Sequence, residues 1–143
     1  MPINKTPPPP NQTMAVAASA LKTQQARMRV IAENIANAQS TSKTPGGDPY
    51  RRRVPVFEPD KKIASGADGV KIAQVRDDMR AFRSVYDPGH PAADEKGYVK
   101  LPNVDTLVES LDMREAQRAY EANLNVIETA RSMDTRTLEI LRK

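Results

Sequence analysis

Three groups of side chains have types and spacings that could do chemistry. The only histidine, His90, has Asp87 three residues before it and Asp94 four after, a set that could act as an acid–base or metal cluster. Pro88, Gly89 and Pro91 interrupt the segment, so helical spacing cannot bring those carboxylates to the ring. One imidazole without a second nitrogen ligand is also a poor zinc site. Arg51, Arg52 and Arg53 follow Tyr50 and could touch phosphate. Three arginines beside one tyrosine make no basic stripe, so a solvated face or an acidic contact on a neighbouring subunit is the better reading. Ser19, Ser40, Ser42, Ser65, Ser84, Ser110 and Ser132 lack a nucleophile-elbow context. Cysteine is absent, which removes thiolate chemistry and disulfides, and no glycine loop suits phosphate. The expectation is no catalytic, cofactor or metal site, no enzyme, and no nucleic-acid partner.

The elements that hold these residues follow from the helix breakers. All 6 glycines and the prolines from Pro45 onward lie between Pro45 and Pro102; the remaining prolines are Pro2 and the run Pro7 to Pro10. Proline removes a donor and clashes inside a helix, and glycine costs about 1 kcal/mol there. Two tracts free of both, 11–44 and 103–143, therefore predict terminal helices around a turn-rich insert. The expected fold is mainly α: long N- and C-terminal helices form a coiled-coil-like core with a small β-containing central insert. The expected division is an extended proline-rich arm over 1–13, a core helix over 14–38, the insert over 39–102 and a second core helix over 103–143.

Bulk composition supports assembly over a dense private core. Of 143 residues 38% are hydrophobic and 4% aromatic, and aromatics supply much of a normal core by area. The net charge of +4 is positive towards the front and negative after residue 103, which favours pairing of the termini or head-to-tail contact, weakened by screening. No basic region followed by an apolar run marks a cleaved signal peptide, and no stretch is apolar enough to predict a transmembrane segment.

In the first tract Met14, Ala17, Leu21, Gln24, Met28, Ile31, Ile35 and Ala38 recur at alternating spacings of three and four, an a/d seam. Asn11 or Thr13 could cap its start. Asn34 and Asn37 lie one turn apart, where their amides could bond backbone as the helix ends. In the second tract Asn103 is the expected cap. Val104, Leu107, Val108 and Leu111 form a stripe that breaks before Met113 and Ala116, then resumes through Tyr120, Leu124, Ile127, Ala130, Met133, Leu138 and Leu141. The break predicts a bend or a change of partner, with Tyr120 bridging apolar packing and a polar rim. Glu115 with Arg118, and Glu128 with Arg131, are spaced to pair on the surface. Two arrangements satisfy the seams: an antiparallel pair within one chain, or packing against helices of other chains.

In the insert, Thr44 to Pro49 is a dense turn signal. Tyr50 to Phe57 predicts a short strand, with Pro55 demoting it to an edge. Pro59 to Gly69 reads as a loop whose Asp68-Gly69 could form a tight turn, followed by a second strand from Val70 through Val75.

Several motifs resemble the bacterial flagellar rod, hook and related axial proteins. Ile31-Ala32-Glu33-Asn34-Ile35-Ala36-Asn37-Ala38-Gln39-Ser40-Thr41 is similar to their asparagine-rich N-terminal signature. Gly47-Asp48-Pro49-Tyr50-Arg51-Arg52-Arg53, Tyr86-Asp87-Pro88-Gly89-His90-Pro91, Lys96 to Asp105 and Ala119-Tyr120-Glu121-Ala122-Asn123-Leu124-Asn125-Val126 narrow the resemblance to proximal-rod members. The resemblance implies a structural subunit whose terminal helices pack into a tubular, torque-transmitting rod of the basal body, crossing the periplasm. Its implied partners are other proximal and distal rod proteins, further copies of itself, and the type III export apparatus, which passes it without a cleaved signal. Expected assembly-interface residues are Met14, Ala17, Leu21, Met28, Ile31, Asn34, Ile35, Asn37, Ala38, Leu107, Leu111, Tyr120, Leu124, Ile127 and Met133. Two rivals are a stand-alone basic binding module and a monomeric export adaptor.

Overall fold

The proline-free tracts do form helices. In the computed structural model, which describes residues 10–64 and 67–142, α1 spans Pro10–Ala36 and α2 spans Thr106–Leu141. Proline is well suited to the first helical position, where its missing N–H has no partner to lose, so α1 begins ahead of Met14 and takes Asn11 and Thr13 into its first turn instead of using them as caps. It ends where the Asn37 side-chain amide donates to the Glu33 carbonyl at 2.9 Å and Ser40 Oγ donates to Asn37 Oδ1 at 3.2 Å. The cap of α2 is Asp105, not Asn103: its carboxylate accepts from the N–H groups of Leu107 and Val108.

The helices pack antiparallel within the chain. Arg27 pairs with Glu115 at 3.5 Å, and the Asn34 amide donates to Glu109 at 3.3 Å, so advance along α1 is retreat along α2. Glu115 thus reaches across the pair rather than along its own helix to Arg118. Ala17, Val30, Ile31 and Ala38 from the first tract and Ala116 and Ala130 from α2 are buried. These small and β-branched side chains let the backbones approach closely, and the sevenfold spacing of Glu109, Ala116 and, two repeats on, Ala130 is that of a coiled-coil seam.

Between the helices lie two antiparallel ribbons. β1 (Arg53–Ala64) pairs with β2 (Ala67–Asp77), and β3 (Arg83–Tyr86) with β4 (Tyr98–Leu101). The expected loop from Pro59 to Gly69 is therefore mostly strand, and Gly69 pairs with Asp60 instead of making a turn. The physical reason is visible at Val70, the partner of Pro59. Its N–H donates to Ser19 Oγ at 3.2 Å and its carbonyl accepts from Thr23 Oγ1 at 2.8 Å. Both polar groups of Val70 thus face α1, leaving Pro59 opposite a non-hydrogen-bonded position that needs no N–H. Two hydroxyls one helical turn apart fasten the ribbon to α1. Thr23→Val should leave that buried-side carbonyl unpaired, costing about 1 to 2 kcal/mol. Hydrogen exchange should then lose protection in β2 while α2 keeps its own; unchanged protection in β2 would refute the clamp.

The second ribbon closes on Gly97, at φ 87°. A Cβ there would stand 2.9 Å from the Tyr86 ring. Tyr86 and Tyr98 meet edge to face, with centroids 5.4 Å apart.

Candidate functional site

The residues singled out for chemistry hold turns. His90 Nδ1 accepts from the Ala92 N–H at 3.0 Å, and the Asp94 carboxylate accepts from the N–H groups of Lys96 and Tyr98, each at 2.9 Å. The Asp87 N–H donates to the Gly97 carbonyl. Among the described residues no group of histidine and carboxylate side chains is arranged to hold a metal.

The arginine run does something the sequence reading missed. It joins the end of α1 and the start of α2 to the insert through a buried polar junction. Asn34, 1% exposed, donates to the Arg53 carbonyl at 2.9 Å and accepts from the Arg53 N–H at 3.0 Å and the Tyr50 hydroxyl at 2.7 Å. With its bond to Glu109, every hydrogen-bonding capacity the amide needs underground is filled. Asn34 is therefore a bracket for the following chain, not a helix-end residue like Asn37. The Arg52 guanidinium bonds Glu109, itself 1% exposed, and reaches Asp78 at 3.3 Å and Asp112 at 3.6 Å. Arg51 donates to the carbonyls of Asp78 and Arg80 and lies 4.1 Å from the Phe82 ring centre, a cation–π contact. Asn103, free of capping duty, accepts from the Arg52 N–H at 2.8 Å and donates to the carbonyls of Asp78 and Arg80. No buried side-chain nitrogen or oxygen among the described residues lacks a partner.

Charge sets the balance in this junction. Burial is the largest single influence on Arg52 and lowers its pKa, but the hydrogen bonds and charges of Glu109 and Asp78 together outweigh it and leave the pKa raised. Burial, then the nearby Glu33 charge, raises the Tyr50 pKa and keeps its hydroxyl a donor to Asn34. The hydrogen bond from Arg80 is the main cause that lowers Asp78 to about 2 from 3.8. Because the folded value is the lower one, Asp78 contributes stability at pH above 4 that is lost as pH falls towards 2. Arg80 is exposed, so screening reduces this to on the order of 1 to 2 kcal/mol. Asp78→Asn should flatten the acid limb of a stability–pH curve between pH 4 and 2; an unchanged limb would exclude Asp78 as its source.

The expected interface residues divide into three sets. Ala17, Ile31, Asn34 and Ala38 are buried inside the chain; Met14, Leu21, Met28, Asn37, Tyr120 and Ile127 are half-buried; Ile35, Leu107, Leu111, Leu124 and Met133 are exposed. The break in the second stripe has a simple origin. Five residues of helix turn Ala116 about 140° away from Leu111, so Leu107 and Leu111 never belonged to the face that meets α1. That face begins with Glu109, a carboxylate whose sevenfold spacing to Ala116 was its one visible signal.

Residues 14–42 match the family model described as flagella basal body rod protein, and residues 95–140 that described as flagellar basal body rod FlgEFG protein C-terminal. The chain is 47% identical over 127 residues to the flagellar basal-body rod protein FlgC of Agrobacterium fabrum, covering 89% of this chain and 91% of that one. The chain belongs to the FlgC family of flagellar basal-body rod proteins. It is 42% identical to the FlgC of Salmonella typhimurium, covering 87% of this chain and 92% of that protein, and 41% identical to that of Borreliella burgdorferi, covering 88% and 93%. It is thus a structural rod subunit of the flagellar basal body, and the two matched segments are its two helices with their flanks. No helix among the described residues is long and apolar enough to cross a membrane.

Proposed function

We propose that this FlgC-family chain is a proximal-rod subunit that builds a tubular shaft through the helix faces its own α1–α2 pair leaves uncovered. The observation that carries this is the N-terminal outer face of α2. Leu107 is 69% exposed and Leu111 56%, with Val108 beside them, although Glu109, two residues from each leucine, ties this helix end to Asn34 and Arg52 in the buried junction. A firm scaffold presenting apolar side chains suits a permanent contact. The partners are further copies and other proximal and distal rod proteins. The subunit reaches the rod through the type III export apparatus, without a cleaved signal, and works where the rod crosses the periplasm. Its contribution is geometric and mechanical, transmitting rotation without catalysis.

The test is genetic and structural together. A strain lacking the chain should yield basal bodies without a completed rod and should not swim, and the wild-type gene should restore both. Full-length rods purified from the deletion strain would refute the reading.

A further inference from the structure

A rod that grows as an open helical assembly needs heterologous contacts, in which one patch of a subunit meets a different patch of the next; self-complementary contacts close the assembly instead. This chain carries two patches that differ and complement each other. The first is the end of α2. With Arg27 opposite Glu115 and Asn34 beside Glu109, the antiparallel register places the first turn of α1 near Ser132. The remainder of α2 continues about 14 Å past that point. Met133, Leu138, Ile140 and Leu141 on this stretch are strongly exposed, whereas Ala130 just before it is buried. Leu138 and Leu141 prolong the side of α2 that meets α1, so the helix–helix seam runs on with no partner among the described residues.

The second patch is a groove between α1 and the β1–β2 ribbon, with a volume of about 580 Å³, lined by Ala15, Ala18, Lys22, Ala26, Val70 and Ile72 among others. The alanines leave the α1 backbone open to close approach by another helix, and Val70 and Ile72 form an apolar wall. Lys22 is exposed at the groove with no ion pair to another described residue. A helix C-terminus presents unpaired carbonyls and the negative end of its dipole. The last turn of α2 holds no basic residue and its cap is Arg142, while the groove is lined by Asp60 as well as Lys22, so both signs of charge stand on each side.

We infer that the projecting end of α2 seats in the α1–ribbon groove of a second copy of this chain, with Lys22 against its terminal carbonyls. The inference rests on the rod-subunit reading. Each copy then offers one knob and one groove, and the contact repeats without closing.

The chain has no native cysteine, which makes cross-linking direct. The pair Ala18→Cys with Leu138→Cys cannot bridge within one chain: the two positions lie about 20 Å apart along the helix pair, beyond the roughly 7 Å limit for Cα atoms of a disulfide. In oxidised basal bodies the double variant should give a ladder of covalent dimers and higher species. Each single variant should stay monomeric, and the two singles expressed together should give dimers only. A photoreactive group attached at Ala18→Cys should mark residues 133–142 of another copy. Cross-links from that group to residues 1–9 of the same chain, or to a different rod protein, would overturn the inference, as would monomer alone in basal bodies that contain the variant. Absence of the wild-type chain from purified basal bodies would instead defeat the rod-subunit reading itself.

Discussion

Replacing Glu109 by alanine should destabilise the folded subunit by about 2 to 3 kcal/mol, the cost of losing buried charge-assisted hydrogen bonds while Arg52 keeps Asp78 and Asp112. The effect exceeds that of Asp78 because Glu109 is almost wholly buried while Asp78 leans on an exposed arginine. Removing the carboxylate leaves the Arg52 guanidinium facing a void at the start of α2 and takes one bond from Asn34. In a domain of this size the melting temperature should fall by about 10 °C. The pairing, more than the charge, is what matters: Glu109→Leu combined with Arg52→Met should recover most of the loss, since well-packed apolar pairs often match buried ion pairs. A thermal melt in which Glu109→Ala loses less than 1 kcal/mol would show that the junction does not hold the helices to the insert.

The opposite signature is expected on the outer face of α2. Leu107→Asp and Leu111→Asp should leave the melting curve of the isolated subunit within about 0.5 kcal/mol of wild type, because exposed positions lose no packing. An aspartate in the first turn even complements the helix dipole. Yet each places a charge in a contact proposed to be apolar, where an unpaired charge is strongly unfavourable, so incorporation into basal bodies and swimming should fall at least tenfold. Ile31→Asp should fail differently: Ile31 is buried inside the chain, and that variant should unfold. Swimming at the wild-type level with Leu111→Asp, its abundance in basal bodies unchanged, would remove this face from the assembly.

Much of the architecture was legible because local signals agreed. Two tracts without proline or glycine and with repeated apolar spacing became α1 and α2, and the glycines and prolines clustered in the insert. Two misreadings had the same origin, in that a residue's local preference was outvoted by a partner far along the chain. Pro59 argued for a loop, but the hydroxyls of Ser19 and Thr23 take up the backbone groups of Val70 opposite it. Arg51 to Arg53 read as a solvated face or an acidic contact on a neighbouring subunit, but the guanidinium groups of Arg51 and Arg52 find Asp78 and Glu109 within the chain, and that of Arg53 stays half-exposed beside Glu33. Asn103 was the cap expected by type, but it is taken up in a bridge between Arg52 and the Asp78–Arg80 turn, and Asp105 caps α2 instead. The candidate interface was legible as a set of apolar residues and not as a surface. Spacing alone could not say that Ala17 and Ile31 face inward while Leu107 and Leu111 face out, because that depends on which side of α2 meets α1.

The most direct measurement is imaging of purified basal bodies at a detail that resolves side chains along α2. The account predicts Leu107 and Leu111 buried against a neighbouring rod subunit, with the Asn34–Arg52–Glu109 junction intact inside each copy. Leu107 and Leu111 facing solvent in the assembled rod, or α1 and α2 of one chain separated to pair with other subunits, would contradict it.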